Sequence, residues 1–106
     1  MANSLQQLAN AHGFVVFVLE PYYIQFSKDE REHPLYMEAV SHHYLPGLSP
    51  ALRKHFAALG FKIEGGNYYK WVDASKLKEL LPEMEQIFIS IYEADYHKPI
   101  GVTIEI

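Results

Sequence analysis

A chain of 106 residues, 49% of them hydrophobic, has room for one domain and enough apolar mass for a core. Its net charge of −4, with only Arg53 and Lys54 adjacent among the scattered basic residues, argues against a phosphate-backbone binder, so no nucleic-acid partner is expected. The absence of cysteine excludes a disulfide framework and a thiolate zinc site.

The first predicted element is a short helix over residues 4–12, with Ser4 and Gln7 as a capping box, Leu5, Leu8 and Ala9 on one face, and Gly13 as its stop. The β-branched and aromatic run Phe14–Leu19 reads as a buried strand. It is far too short to span a bilayer, and the polar residues before it do not form an export signal. A cytoplasmic protein without a membrane partner is the expectation. Glu20-Pro21 breaks the run, and Tyr22–Ser27 alternates, with Tyr22, Ile24 and Phe26 on one side.

Lys28–Pro34 is a charged loop in which Asp29, Glu30 and Glu32 solvate the chain. Leu35–Ser41 is predicted as the third strand, although its Met, Glu and Ala favour helix as strongly. A second helix opens at Ser49-Pro50 and ends at Gly60, with Leu52, Phe56 and Leu59 as its apolar stripe. Phe61–Glu64 and Tyr68–Val72, joined through Gly65-Gly66-Asn67, read as a hairpin. Asp73 caps a third helix whose apolar residues recur from Leu77 to Tyr92, with a kink or restart expected at Pro82. Ile100, Val102, Ile104 and Ile106 alternate with smaller or polar residues as a half-buried terminal strand.

The order is thus α-βββ-α-ββ-α-β, a single α+β domain over residues 1–106 with a mainly antiparallel sheet and helices packed on it. Five strands between Phe14 and Val72 are expected in one sheet, crossed by the helix after Asp73. Such a short domain buries a modest share of its surface, so a partner subunit covering apolar area would help it.

This order, with Tyr23-Ile24-Gln25-Phe26, Met37–Ser41, Tyr44-Leu45, Leu59-Gly60-Phe61 and the aromatic strand Tyr68–Trp71, resembles the TY-Chap family. That family groups type III secretion chaperones with bacterial sensory-transduction-regulator-like proteins. The resemblance covers residues 14–93 or so. It implies a type III secretion chaperone-like fold and a bacterial cytoplasmic protein that binds peptides or proteins, often as a homodimer; it does not imply catalysis.

Sharper chemistry finds little footing. The adjacent His42 and His43 would point to opposite faces of an extended chain, a poor arrangement for shared ligation. Glu93, Asp95 and His97 alternate and carry ligand-type atoms, but they also suit a polar helix end running into a turn. Ser41-His42 are neighbours without a nucleophile-elbow motif, and Gly65-Gly66 does not open a helix that could cradle phosphate. No catalytic, cofactor-binding or metal residue is therefore assigned, and no cofactor is expected. Chelation should leave thermal stability unchanged.

The aromatic residues remain. Tyr23, Tyr36, Tyr69 and Trp71 are the candidate protein-binding residues, since tyrosine-rich surface buries area while its hydroxyls stay bonded. Ordinary half-buried strand residues would explain them equally well. The expected function is a non-enzymatic peptide- or protein-binding module acting as a homodimer, through a sheet edge or the aromatic face around Tyr69 and Trp71. The alternative is a small hydrolase or metal-dependent enzyme with an unrecognised site, built from groups such as Glu38, His42, His43 or Asp95.

Overall fold

A computed structural model describes residues 8, 13–28, 34–63, 66–95 and 97–105. Three strands open it: β1 (Gly13–Leu19), β2 (Tyr22–Lys28) and β3 (Leu35–Ala39). A 3₁₀ turn over Pro50–Leu52 leads into α1 (Arg53–Ala58), followed by β4 (Tyr68–Val72), α2 (Leu77–Glu85) and β5 (Gly101–Glu105). The strands form one antiparallel sheet in the order β4-β3-β2-β1-β5. This is an α+β fold, and no described helix is long and apolar enough to cross a membrane.

Alternation along the strands decides the core. Val15, Phe17, Leu19, Ile24, Phe26, Leu35, Met37 and Ala39 point to one side and are buried, while their neighbours are half-exposed. On that side α2 contributes Leu80 and Met84, and its continuation adds Ile87, Phe88 and Ile91. Phe56 from α1 stacks on Tyr68 at 4.1 Å and meets Phe61 edge-on at 5.3 Å. Full burial of a side chain of this size contributes roughly 1.5–3 kcal/mol, so this layer dominates the stability.

β1 and β2 are joined by Glu20-Pro21, whose peptide bond is cis. Ser49 caps the 3₁₀ turn by accepting from the Ala51 N–H, with Pro50 next to it. The other end of α1 closes on Gly60 at φ 89°, where the Phe61 N–H reaches the Phe56 carbonyl and the Gly60 N–H reaches Ala57. Both ends match the residues that mark them in the sequence.

Four expectations need correction or narrowing. Phe61–Glu64 is not a full strand: Lys62 makes a single bridge to Tyr69, and Glu64 and Gly65 lie outside the described residues. Among the described residues four strands, not five, therefore lie between Phe14 and Val72, and the terminal strand supplies the fifth. That strand is exposed along its whole length rather than half-buried, because it sits at the sheet edge beyond the helices.

The fourth concerns Pro82, which lies inside α2 without a break. Both Pro82 and Lys78, the residue four positions earlier, are exposed, so water can take the carbonyl the proline leaves unbonded. The irregularity comes one turn later. Gln86–Ile91 widens to a π-helix, with the Tyr92 N–H donating to the Ile87 carbonyl at 2.8 Å. Of the opening helix only Leu8 is described, helical and fully buried; the rest lies outside the described residues, as do Asp29, Glu30 and Glu32.

Candidate functional site

The opposite side of the sheet is where the aromatic candidates gather. On β3 and β4, Tyr36 pairs with Trp71 and Glu38 with Tyr69, while on β2 Gln25 faces Glu38 and Ser27 faces Tyr36. Residues directly opposite in an antiparallel pair share a face, so these side chains form one patch. The Tyr36 ring lies 4.9 Å from Trp71 and 5.8 Å from Tyr69, both tilted. Trp71 is 62% exposed, although it lies in the middle of a sheet strand.

Between these rings lies a shallow depression of about 480 Å³, lined by Ser27, Pro34, Tyr36, Glu38, Tyr69 and Trp71 among others. Burial, and then the Glu38 carboxylate close by, raise the Tyr36 pKa above its ordinary value. The phenol, protonated at neutral pH even at its ordinary value, can donate. The patch offers flat apolar faces, hydroxyl donors, the Glu38 carboxylate and Lys28, a combination suited to binding rather than to bond-breaking.

Tyr23 lies on the same face of β2 but plays a different part. Its hydroxyl accepts from Asn67 Nδ2 at 2.9 Å, and the same amide donates to Glu38 Oε2 at 3.3 Å. Asn67 Oδ1 accepts from the Ser41 N–H at 3.1 Å. One side chain thus ties β2, the exit of β3 and the approach to β4 together at one end of the patch. Of the four sequence candidates, three form the cluster and Tyr23 borders it through Asn67. Sequence reading missed Asn67, which it took as a turn residue, and its polar side chain just before an aromatic strand was the available signal.

The hydrolase alternative meets a specific obstacle. Ser41 is fully buried, and its Oγ donates to the Gly66 carbonyl at 2.7 Å while accepting from the His43 N–H at 3.2 Å. The hydroxyl is committed to holding two loops, not aimed at His42. The two histidines also depart from expectation: Ser41–Tyr44 is a turn, so their rings meet at 4.4 Å instead of pointing apart. Asp95 Oδ1 accepts from the His97 N–H, a local turn after the helix. Among the described residues no three His, Asp or Glu side chains approach closely enough to hold a metal ion.

A larger, more polar hollow of about 640 Å³ lies between β4 and α2. Within it Lys70 Nζ lies 2.6 Å from Glu83 Oε1 and donates to the Leu59 carbonyl at 2.8 Å, so this ammonium is already engaged. No family model, curated protein or solved structure matches this chain.

Proposed function

We propose that this protein is a non-enzymatic binding module that holds a peptide or protein segment on the open face of its sheet, with Tyr36, Tyr69 and Trp71 as the contact residues. The observation that carries the reading is Trp71. An indole 62% exposed in a sheet strand, with the tilted ring of Tyr36 4.9 Å away, is a large hydrophobic group left mostly uncovered. Aromatic anchors of this kind supply much of the energy at protein interfaces.

The likeness to the TY-Chap family supports the same reading and extends it to a type III secretion chaperone-like protein in a bacterial cytoplasm, acting as a homodimer. Both the likeness and the patch favour capture of a partner over chemistry on a small substrate. Tyr23 belongs to this site as a support, through the hydroxyl that Asn67 holds.

Trp71 is the sole tryptophan, so its fluorescence reports on the proposed face directly. Peptides selected from a random display library against the full chain should shift that emission to the blue on binding. The same peptides should lose at least tenfold in affinity against Tyr36→Ala. Selected peptides that leave the emission unchanged and bind Tyr36→Ala equally well would place the binding site elsewhere.

A further inference from the structure

The two edges of the sheet are not alike. At the β4 edge, Tyr69 spends its outward N–H and carbonyl on Lys62, at 2.9 and 2.8 Å. At the β5 edge no described backbone group outside the sheet ladder bonds to residues 101–105. An open edge is ordinarily protected by a charge, a proline or a bulge. The interior of β5, Val102-Thr103-Ile104, has none of these, and Val102 and Ile104 are each 42% exposed.

These two side chains lie on the helix side of the sheet, because they pair with the buried Phe17 and Val15. Thr103 pairs with Val16 and takes the open side. The strand is therefore apolar on one face, at Val102 and Ile104, and carries Gly101, Thr103 and Glu105 on the other. An antiparallel pairing of two copies about a twofold brings like faces together, apolar row against apolar row.

We infer that β5 is a homodimerisation strand: two copies pair antiparallel about a twofold axis at Thr103, making one continuous ten-stranded sheet. This deepens the homodimer part of the reading above by naming its surface, and it does not depend on the aromatic patch. In this register Val102 faces Ile104 of the partner subunit twice over, and Thr103 faces its own copy. Gly101 faces Glu105 of the partner subunit, so the two carboxylates sit at opposite ends of the joint and do not repel.

A slip by one residue would set Val102 against a side chain of the wrong face. A slip by two would keep the faces but lose two of the five pairs. Only the register centred on Thr103 uses all of β5. Because the contact is isologous, each copy uses its β5 edge on the other, and this contact closes at two copies.

The test uses the full chain. Light scattering at tens of micromolar should give twice the 12.2 kDa chain mass. Ile104→Lys, at a position exposed in the single copy, should halve that mass while keeping the far-ultraviolet circular dichroism. Because the chain has no cysteine, single replacements then read the register under mild oxidation. Thr103→Cys should cross-link to its own copy, since directly opposite Cα atoms lie about 5 Å apart, within disulfide reach. Val102→Cys should not, its two copies being about 8 Å apart by the strand rise.

A single-copy mass for the unaltered chain, or a dimer that survives Ile104→Lys, overturns the inference. So does cross-linking of Val102→Cys in preference to Thr103→Cys, or a chain that stays single and pairs β5 with an added extended peptide. Peptide binding measured at Trp71 in Ile104→Lys is scored separately, so loss of the dimer and loss of the binding face are told apart.

Discussion

The hydroxyl of Tyr92, at the end of the last helix, donates to the carbonyl of Val40 at 2.5 Å across 52 residues of sequence. The Tyr92 ring also stacks on Tyr22 at 4.7 Å and leans on Phe56 at 5.5 Å. One side chain therefore joins the final helix to β2, the end of β3 and α1.

Tyr92→Phe keeps the rings in place and leaves the buried Val40 carbonyl unbonded. A loss of about 1–3 kcal/mol is expected. Tyr68→Phe should behave in the opposite sense, because its hydroxyl is buried with no hydrogen-bond partner among the described residues. Removing that oxygen should be neutral or stabilise by up to about 1 kcal/mol. Urea unfolding of both variants decides the pair, and equal losses would contradict the assignment of partners.

The same burial gives a pH dependence. Desolvation first, then nearby tyrosines, push the Tyr92 pKa well above its ordinary value of 10.0, and burial also raises that of Tyr68. The folded state thus keeps protons that the unfolded chain releases above pH 10. Stability is whole below that pH and falls as pH rises through and beyond it. Tyr92→Phe should flatten the decline, measured as unfolding free energy between pH 8 and 11. A slope unchanged in that variant would assign the effect to other tyrosines.

Asn67 should matter more than a turn residue. Asn67→Ala removes the acceptor for the Ser41 N–H and the donor shared by Tyr23 and Glu38. A cost of about 1–3 kcal/mol follows if these part-buried groups are left unbonded. Tyr23→Phe should cost less, and in the double variant the two losses should fall short of their sum by at least about 0.5 kcal/mol. Strict additivity would mean that the two groups are not coupled.

How far the sequence discloses this fold can be seen residue by residue. Strand alternation identifies the buried rows from Val15 to Ala39, because side chains on a sheet have a period of two. The capped start of the 3₁₀ turn at Ser49-Pro50 and the Gly60 stop after α1 are equally legible. What escapes is decided by position in three dimensions. Val102 and Ile104 look like core until the strand order puts β5 beyond the helices. Pro82 looks like a break until its missing bond is found facing solvent. The open face was legible as an excess of tyrosines, but which ones stay uncovered depends on which side the helices take. Tyr68 and Tyr69 are neighbours with opposite fates.

Two helix ends offer a matched pair of backbone tests. Glu93 adopts φ 57°, the left-handed region, where it lets the Ala94 N–H reach the Phe88 carbonyl. A side chain is strained there, so Glu93→Gly should stabilise by about 0.5–1 kcal/mol. Gly60 adopts φ 89°, and a Cβ placed there would meet only Lys70 Cδ at 4.0 Å. Space is not the obstacle to Gly60→Ala; the backbone angle is, and about 1–2 kcal/mol should be lost. Thermal melts of the two variants should move in opposite directions, and a Glu93→Gly variant that melts lower would refute the first assignment.

The last prediction separates the open face from the core. Trp71 is mostly exposed, and its packing partner, Tyr36, keeps a second contact with Tyr69. Truncating the indole removes one aromatic pair, worth about 0.5–1.5 kcal/mol, and little buried area. Met84→Ala, by contrast, empties a fully covered site facing the sheet and should cost about 2–5 kcal/mol. Trp71→Ala should therefore fold with a stability near that of the unaltered chain, and still lose the peptides selected against it. Measured side by side in urea, a Trp71→Ala loss as large as that of Met84→Ala would make the residue structural. A small loss in stability joined to a large loss in peptide affinity is the combination expected of a residue that serves a partner.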